Sequence, residues 1–128
     1  MIIAMGTDLV EIKRIEQAAR RTPKFIHRIL TSREVQLLAS KGYRGSALAA
    51  NFAAKEAVSK MLGTGIGEIS WHEIEILNNS KGAPYVVLSG KAEEISNQMC
   101  IDEILISITH DKGMAFANVL GQKLDKGD

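Results

Sequence analysis

Residues 2–10 are apolar apart from one polar pair, Thr7-Asp8, and their Ile and Val content predicts a β-strand that breaks at Gly6. From Ile12 to about Ala19 the apolar positions recur at helical spacing, until Thr22-Pro23 interrupts them. Thr31-Ser32-Arg33-Glu34 has the form of a capping box that opens a short helix through Val35, Leu37 and Leu38. A loop with two glycines, Lys41 to Gly45, leads into Ser46 to Leu62, an alanine-rich helix with no internal Gly or Pro, stopped by Gly63. The period then changes to two. Across Trp71 to Leu77, Ile74 and Ile76 alternate with Glu73 and Glu75, and Asn78 to Gly82 turns the chain into a strand at Tyr85 to Leu88. Ser89 opens a last helix to about Gln98, and Ile104 to Thr109 with Met114 to Leu120 forms a second hairpin around Asp111-Lys112-Gly113. Strands joined by short turns and interleaved with separate helices predict an α+β fold, a mainly antiparallel sheet with packed helices. No repeat or linker divides the pattern, which predicts one domain over residues 1–121 and a polar tail over 122–128.

Composition narrows the classes. Of 128 residues, 45% are hydrophobic and 24% charged, which excludes a disordered chain. No apolar run approaches the roughly 18 to 20 residues of a membrane span, and the amino terminus has no basic leader before its apolar stretch. One cysteine, Cys100, and three scattered histidines offer neither a disulfide framework nor a structural zinc site. The expectation is a cytoplasmic chain that does not enter a membrane.

Charge changes the picture further. The net charge is +1, yet six basic residues and a single acid lie between Lys13 and Arg28. That asymmetry points to an anionic partner meeting one face, the plainer alternative being a solvated helix. With aromatic residues at 5%, a stacking platform for single-stranded nucleic acid is not expected.

Two carboxylates stand out as candidate chemistry. Asp8 sits in an apolar strand, where an ionised group needs a cation or hydrogen bonds; capping the following helix is the structural alternative. Glu56 lies mid-helix in Phe52-Ala53-Ala54-Lys55-Glu56-Ala57, flanked by alanines that allow close approach; an exposed pair with Lys60 is its alternative. Two hard oxygen ligands from distant segments suit Mg²⁺, which takes one or two carboxylates and completes its octahedron with water and phosphate oxygens. Gly63-Thr64-Gly65-Ile66-Gly67 follows a helix instead of opening one, so it reads as a helix stop, with phosphate contact the alternative. His110 ends a strand at a hairpin corner, where a surface turn residue is the simple reading, and Cys100 reads as a small hydrophobe.

Three segments together resemble one family. Gly6-Thr7-Asp8-Leu9-Val10-Glu11-Ile12, Phe52 to Lys60 followed by Gly-Thr-Gly-Ile-Gly, and Ser107-Ile108-Thr109-His110-Asp111 are similar, in order and spacing, to the motifs of the holo-acyl-carrier-protein synthases. These are small bacterial 4′-phosphopantetheinyl transferases. Lys81-Gly82-Ala83-Pro84 sits where that family carries a Gly-x-Pro hairpin; Ala83 replaces the commoner lysine, and Thr109 the commoner serine. The resemblance implies the 4′-phosphopantetheinyl transferase fold and transfer of 4′-phosphopantetheine from coenzyme A to a serine of apo acyl carrier protein, releasing adenosine 3′,5′-bisphosphate. It implies Mg²⁺ on Asp8 and Glu56, Glu56 taking the serine proton directly or through a metal-bound water, and Lys60 on a phosphate. Ser59, Gly63, Lys81, Pro84 and Thr109 are implied coenzyme A contacts, and His110 is implied to meet the coenzyme A phosphates or a nearby carboxylate. Arg14, Arg21, Lys24 and Arg28, on one helix around an apolar centre of Phe25 and Ile26, are implied to meet the acidic carrier. A homotrimer with active sites between protomers is implied as well. The competing reading is a nucleic-acid or lipid binding module using the same basic helix.

Overall fold

In the computed structural model, which describes residues 1–125, one long helix packs against four of the five strands. In chain order the elements are β1 (Ile2–Glu11), α1 (Ile12–Arg21), α2 (Phe25–Ile29), α3 (Ser32–Ser40) and α4 (Gly45–Met61). A 3-10 turn (Trp71–Glu73) follows, then β2 (Ile74–Asn78), β3 (Pro84–Leu88), α5 (Gly90–Gln98), β4 (Glu103–Asp111) and β5 (Met114–Gln122). The long helix is α4, and its alanines explain its central place. Ala49, Ala53, Ala54 and Ala57 expose no surface, so short side chains let the sheet close directly onto the helix backbone.

The fold is α+β and antiparallel throughout, but in two sheets where the sequence suggested one. β5 lies between β1 and β4 in a three-stranded sheet, and β2 pairs with β3 separately. The excursion through α5 carries the chain away from β3, and β4 then takes its partner from the next hairpin strand. A second difference is Gly6, which does not break its strand: β1 runs unbroken through it. A third is α2, a short helix after the Thr22-Pro23 interruption, which splits the basic segment between two helices. β5 continues through Gln122, and the backbone N–H of Lys123 donates to the Met1 carbonyl at 2.8 Å, so the paired chain extends past residue 121. Residues 126–128 of the expected tail lie outside the described residues.

The capping box at Thr31 is present and serves a second purpose. Thr31 Oγ1 accepts from the Glu34 backbone N–H at 3.3 Å, and Glu34 Oε1 accepts from the Thr31 N–H at 2.9 Å. The Glu34 carboxylate is itself buried, and Lys55 Nζ, also buried, donates to its Oε1 at 2.7 Å. The same ammonium donates to the carbonyls of Trp71, at 2.9 Å, and Ile74. Glu34 Oε2 accepts from Asn51 Nδ2 at 2.9 Å and from the Ile76 N–H at 2.8 Å. One buried ion pair therefore ties α3, α4 and β2 together and fixes α4 about its own axis. Burial pulls the Lys55 ammonium below the ordinary lysine range, and the Glu34 charge opposes that shift.

Removing one member of such a pair strands the other. Lys55→Met, which leaves Glu34 buried beside an alkyl chain, is expected to cost about 3–5 kcal/mol of stability in urea unfolding. A loss below about 1 kcal/mol would show that the pair does not hold α4 in place.

Candidate active site

Strand alternation decides what β1 offers to α4. From Ala4 onward its even positions, Ala4, Gly6, Asp8 and Val10, turn toward the helix, and Met5, Thr7 and Leu9 between them are exposed; Ile3, beside the register shift at the strand's start, also packs on the core. Gly6 is the point of closest approach. A Cβ there would stand 2.1 Å from the Ala57 carbonyl oxygen and 2.7 Å from the Met61 nitrogen, so only glycine fits. Ala57 and Met61 follow Glu56 and Lys60 in sequence. One step of the pleat beyond Gly6, Asp8 reaches the same turns of α4, and Lys60 Nζ lies 3.0 Å from Asp8 Oδ1. The two expected carboxylates, 48 positions apart, thus share one site.

Glu56 is half-buried there. Burial raises its carboxyl above the usual carboxylate range, the Asp8 charge raises it further, and Lys60 opposes both. Neither structural alternative holds. The cap of α1 is Glu11 and not Asp8, and the ammonium of Lys60 rests on Asp8 instead of Glu56. Asp8, Glu56 and Lys60 open into a cleft of about 390 Å³ whose walls include Leu9, Arg14, Phe25 and Phe52. The aromatic wall is braced from behind: the Phe25 and Phe52 rings stack at 6.4 Å between centroids, and Phe52 meets Trp71 at 5.1 Å.

The other expected residues fall elsewhere. Ser59 is buried, and its Oγ donates to the Glu56 carbonyl at 2.7 Å, which turns it from a ligand contact into a support for the helix. Gly63 ends α4 with φ +79, the left-handed conformation that a stop requires. Pro84 lines an apolar cavity of about 210 Å³ with Gly82, Leu37 and Lys41. Lys81 is exposed on the hairpin turn, its backbone N–H bonded to Asn79 Oδ1 at 2.9 Å. His110 lies within β4, one residue short of its end, and lines a groove of about 440 Å³ with Lys41, Arg44 and Ser40. Adjacent strand residues point to opposite faces, so Thr109 is set on the outer face of the sheet, away from His110. Arg14 is a wall of the cleft, whereas Arg21, Lys24 and Arg28 are exposed along α1 and α2. Phe25 and Ile26 are half-buried against the core, with Phe25 also lining the cleft.

Sequence reasoning missed Lys41 and Arg44, which sit with His110 as a cationic groove; the only signal was two charges flanking a glycine-containing loop. It also missed Lys55 and Glu34, although a lysine flanked by buried alanines in a helix is a usable sign of a buried pair.

Two carboxylates held on facing backbone elements at a cleft mouth, with an ammonium already resting on one, are the donor set of a hard divalent cation that keeps most of its ligands as water and phosphate. Asp8 and Glu56 fit Mg²⁺ on those grounds. A cation there would also relieve the repulsion that raises Glu56.

Comparison with known proteins identifies the family. The family model of the 4′-phosphopantetheinyl transferase superfamily matches residues 4–114. A holo-[acyl-carrier-protein] synthase of Thermoanaerobacter sp. (strain X514) is 41% identical over 131 aligned residues, covering 100% of this chain and 95% of that protein. Another, from Caldanaerobacter subterraneus subsp. tengcongensis, is 45% identical and covers 94% of this chain and 97% of its own. Among solved structures, the Helicobacter pylori holo-[acyl-carrier-protein] synthase in complex with coenzyme A superposes with a TM-score of 0.80 at 38% identity, covering 92% of this chain and 99% of its own. The Plasmodium yoelii holo-ACP-synthase gives 0.86 at 30% identity, covering 98% of each chain. On the match of family model, relatives and fold, the chain belongs to the 4′-phosphopantetheinyl transferase superfamily, among its holo-[acyl-carrier-protein] synthases.

Proposed function

We propose that this chain transfers 4′-phosphopantetheine from coenzyme A to a serine hydroxyl of apo acyl carrier protein, with Mg²⁺ held by Asp8 and Glu56. The observation that carries the reading is the meeting of Asp8, Glu56 and Lys60 at one cleft. In the reaction the serine oxygen forms a bond to the phosphorus next to pantetheine. The bond from that phosphorus to the bridging oxygen breaks, and adenosine 3′,5′-bisphosphate leaves with the electron pair. Such a transfer needs little covalent help; it needs the reactants positioned and the charge on the phosphate oxygens neutralised. Mg²⁺ held by Asp8 and Glu56 would supply Lewis-acid polarisation of the pyrophosphate.

The chain's own residues do the rest. Asp8 and Glu56 fix the cation's place, and Lys60 offers a point charge to a phosphate oxygen. Glu56, whose carboxyl already lies above its ordinary range, is the acceptor for the serine proton. Phe25 and Phe52 exclude water from one side of the cleft. Arg14 at the cleft, with Arg21, Lys24 and Arg28 along α1 and α2, presents the basic face that an acidic carrier approaches, and Phe25 with Ile26 lies beside that path. The reading puts the enzyme in the cytoplasm and in the supply of carriers for fatty-acid biosynthesis. Among the described residues, no helix is long and apolar enough to cross a membrane.

The groove of Lys41, Arg44 and His110 and the hairpin cavity beside it form a second set of coenzyme A contacts, opening separately from the Asp8 cleft. Two half-sites on one chain suit an assembly in which one copy's groove faces another's cleft. The outer face of the β1-β5-β4 sheet supports such an assembly. It exposes Met5, Leu9, Leu105 and Phe116, and between them Asn118 Oδ1 is buried without a hydrogen-bond partner among the described residues. We infer a homotrimer that covers this face and gives the orphaned oxygen a donor.

Mass spectrometry of apo acyl carrier protein incubated with coenzyme A, Mg²⁺ and this chain is expected to show the added phosphopantetheine mass. Asp8→Asn and Glu56→Gln are each expected to lower turnover at least about 100-fold with melting temperature retained, and EDTA to abolish it. Carrier that stays unmodified, or near wild-type turnover in either variant, would remove the reading or that residue's part in it. Light scattering at micromolar concentration is expected to give the mass of three chains; a single-chain mass with full activity would contradict the shared site.

A further inference from the structure

Two lysines on α4 make ion pairs of opposite character. Lys55 is fully buried, its ammonium held by a carboxylate and two backbone carbonyls. Lys60, in the last turn of the same helix, keeps 53% of its side chain exposed and has one partner, Asp8, at 3.0 Å. Asp8 is only 16% exposed, and Lys60 is the one hydrogen-bond partner of its carboxylate among the described residues. The strand holds the carboxylate still; the lysine reaches it by a flexible stem from a solvated position. We propose that Lys60 is a displaceable counter-cation: it occupies Asp8 until a divalent cation enters, and its displacement frees the ammonium for a phosphate of the donor.

The chemistry of the pair favours exchange. An exposed lysine–carboxylate pair shifts an equilibrium by at most about fivefold, so a divalent ion can remove it at small cost. A bare Asp8 beside the half-buried Glu56 would set two carboxylates against each other with nothing between them. Lys60 offsets that repulsion before the metal arrives, and a cation of twice the charge does so better. The freed ammonium stays anchored to the turn of α4 that borders the cleft. It is then a point charge within reach of whatever anion the metal binds, and strongly hydrated enough to move. Displacement thereby couples metal entry to phosphate capture. Lys55 cannot do this, because leaving its site would strand Glu34 in the core.

The inference rests on the reading that Asp8 and Glu56 hold the metal, and the test separates the two. Mn²⁺ is titrated calorimetrically at low ionic strength, without coenzyme A, into the wild type, Lys60→Met, Lys60→Arg and Asp8→Asn. Removing the competing charge is expected to tighten Mn²⁺ binding about two- to fivefold in Lys60→Met. Lys60→Arg, which keeps the charge, is expected to bind no tighter than the wild type. Turnover of Lys60→Met is expected to move the other way and fall, because the phosphate contact is lost. Mn²⁺ binding in Lys60→Met equal to or weaker than in the wild type would overturn the exchange. Mn²⁺ binding unchanged in Asp8→Asn would overturn the metal site itself, and the exchange with it.

Discussion

The contact between Gly6 of β1 and the backbone of α4 is the constraint on which the candidate site depends. The missing side chain brings the strand against the Ala57 carbonyl and the Met61 nitrogen, a distance that even a methyl group would forbid. That contact sets the height of β1 along α4, and the pleat then carries Asp8 to the turns that bear Glu56 and Lys60. The buried alanines of α4 serve the same end, since longer side chains at Ala53 or Ala57 would push the sheet away. Close packing here shapes the candidate site, because its charged groups come from a strand and a helix that are joined by no local sequence.

Rotation of α4 is fixed from its other side. The Lys55–Glu34 pair, with its bonds to Trp71, Ile74 and Ile76, anchors the helix to α3 and β2, so Glu56, the next residue after Lys55, is directed out of the core. The buried pair is rigid because every charge in it has partners. The Lys60–Asp8 pair at the cleft is exposed and singly bonded. One helix therefore carries a charge that must stay and a charge that is free to leave, and the difference is solvent access.

Much of this was legible in the sequence. Local signals set the elements: the capping box at Thr31, the alanine run of α4 and the hairpin turn at Asp111-Lys112-Gly113 each depend on neighbours in the chain. The three motifs around Asp8, Glu56 and His110 carried the family, and the comparisons agree with it. What the sequence hid was long-range. A glycine in an apolar strand looks like a break until a helix is found lying against it, and Gly6 was misread for that reason. The basic run over 13–28 looked continuous because charge has no period, yet Pro23 divides it between α1 and α2. Thr109 and His110 are neighbours in a motif but lie on opposite faces of a strand, a separation visible only once the strand is placed. The outward-facing orphan at Asn118 had no signature at all, since burial of one oxygen is a property of the whole sheet.

The approach of β1 to α4 is tested most directly by the turnover of Gly6→Ala, measured well below the variant's own melting temperature. A methyl group at Gly6 must push the strand off the Ala57 carbonyl, moving Asp8 relative to Glu56 and Lys60 while leaving all three residues in place. Displacements on the order of 1 Å at a site of this kind cost about 100-fold, so a loss of at least that size is expected from the folded variant. Turnover close to the wild type would mean that the contact at Gly6 does not set the site.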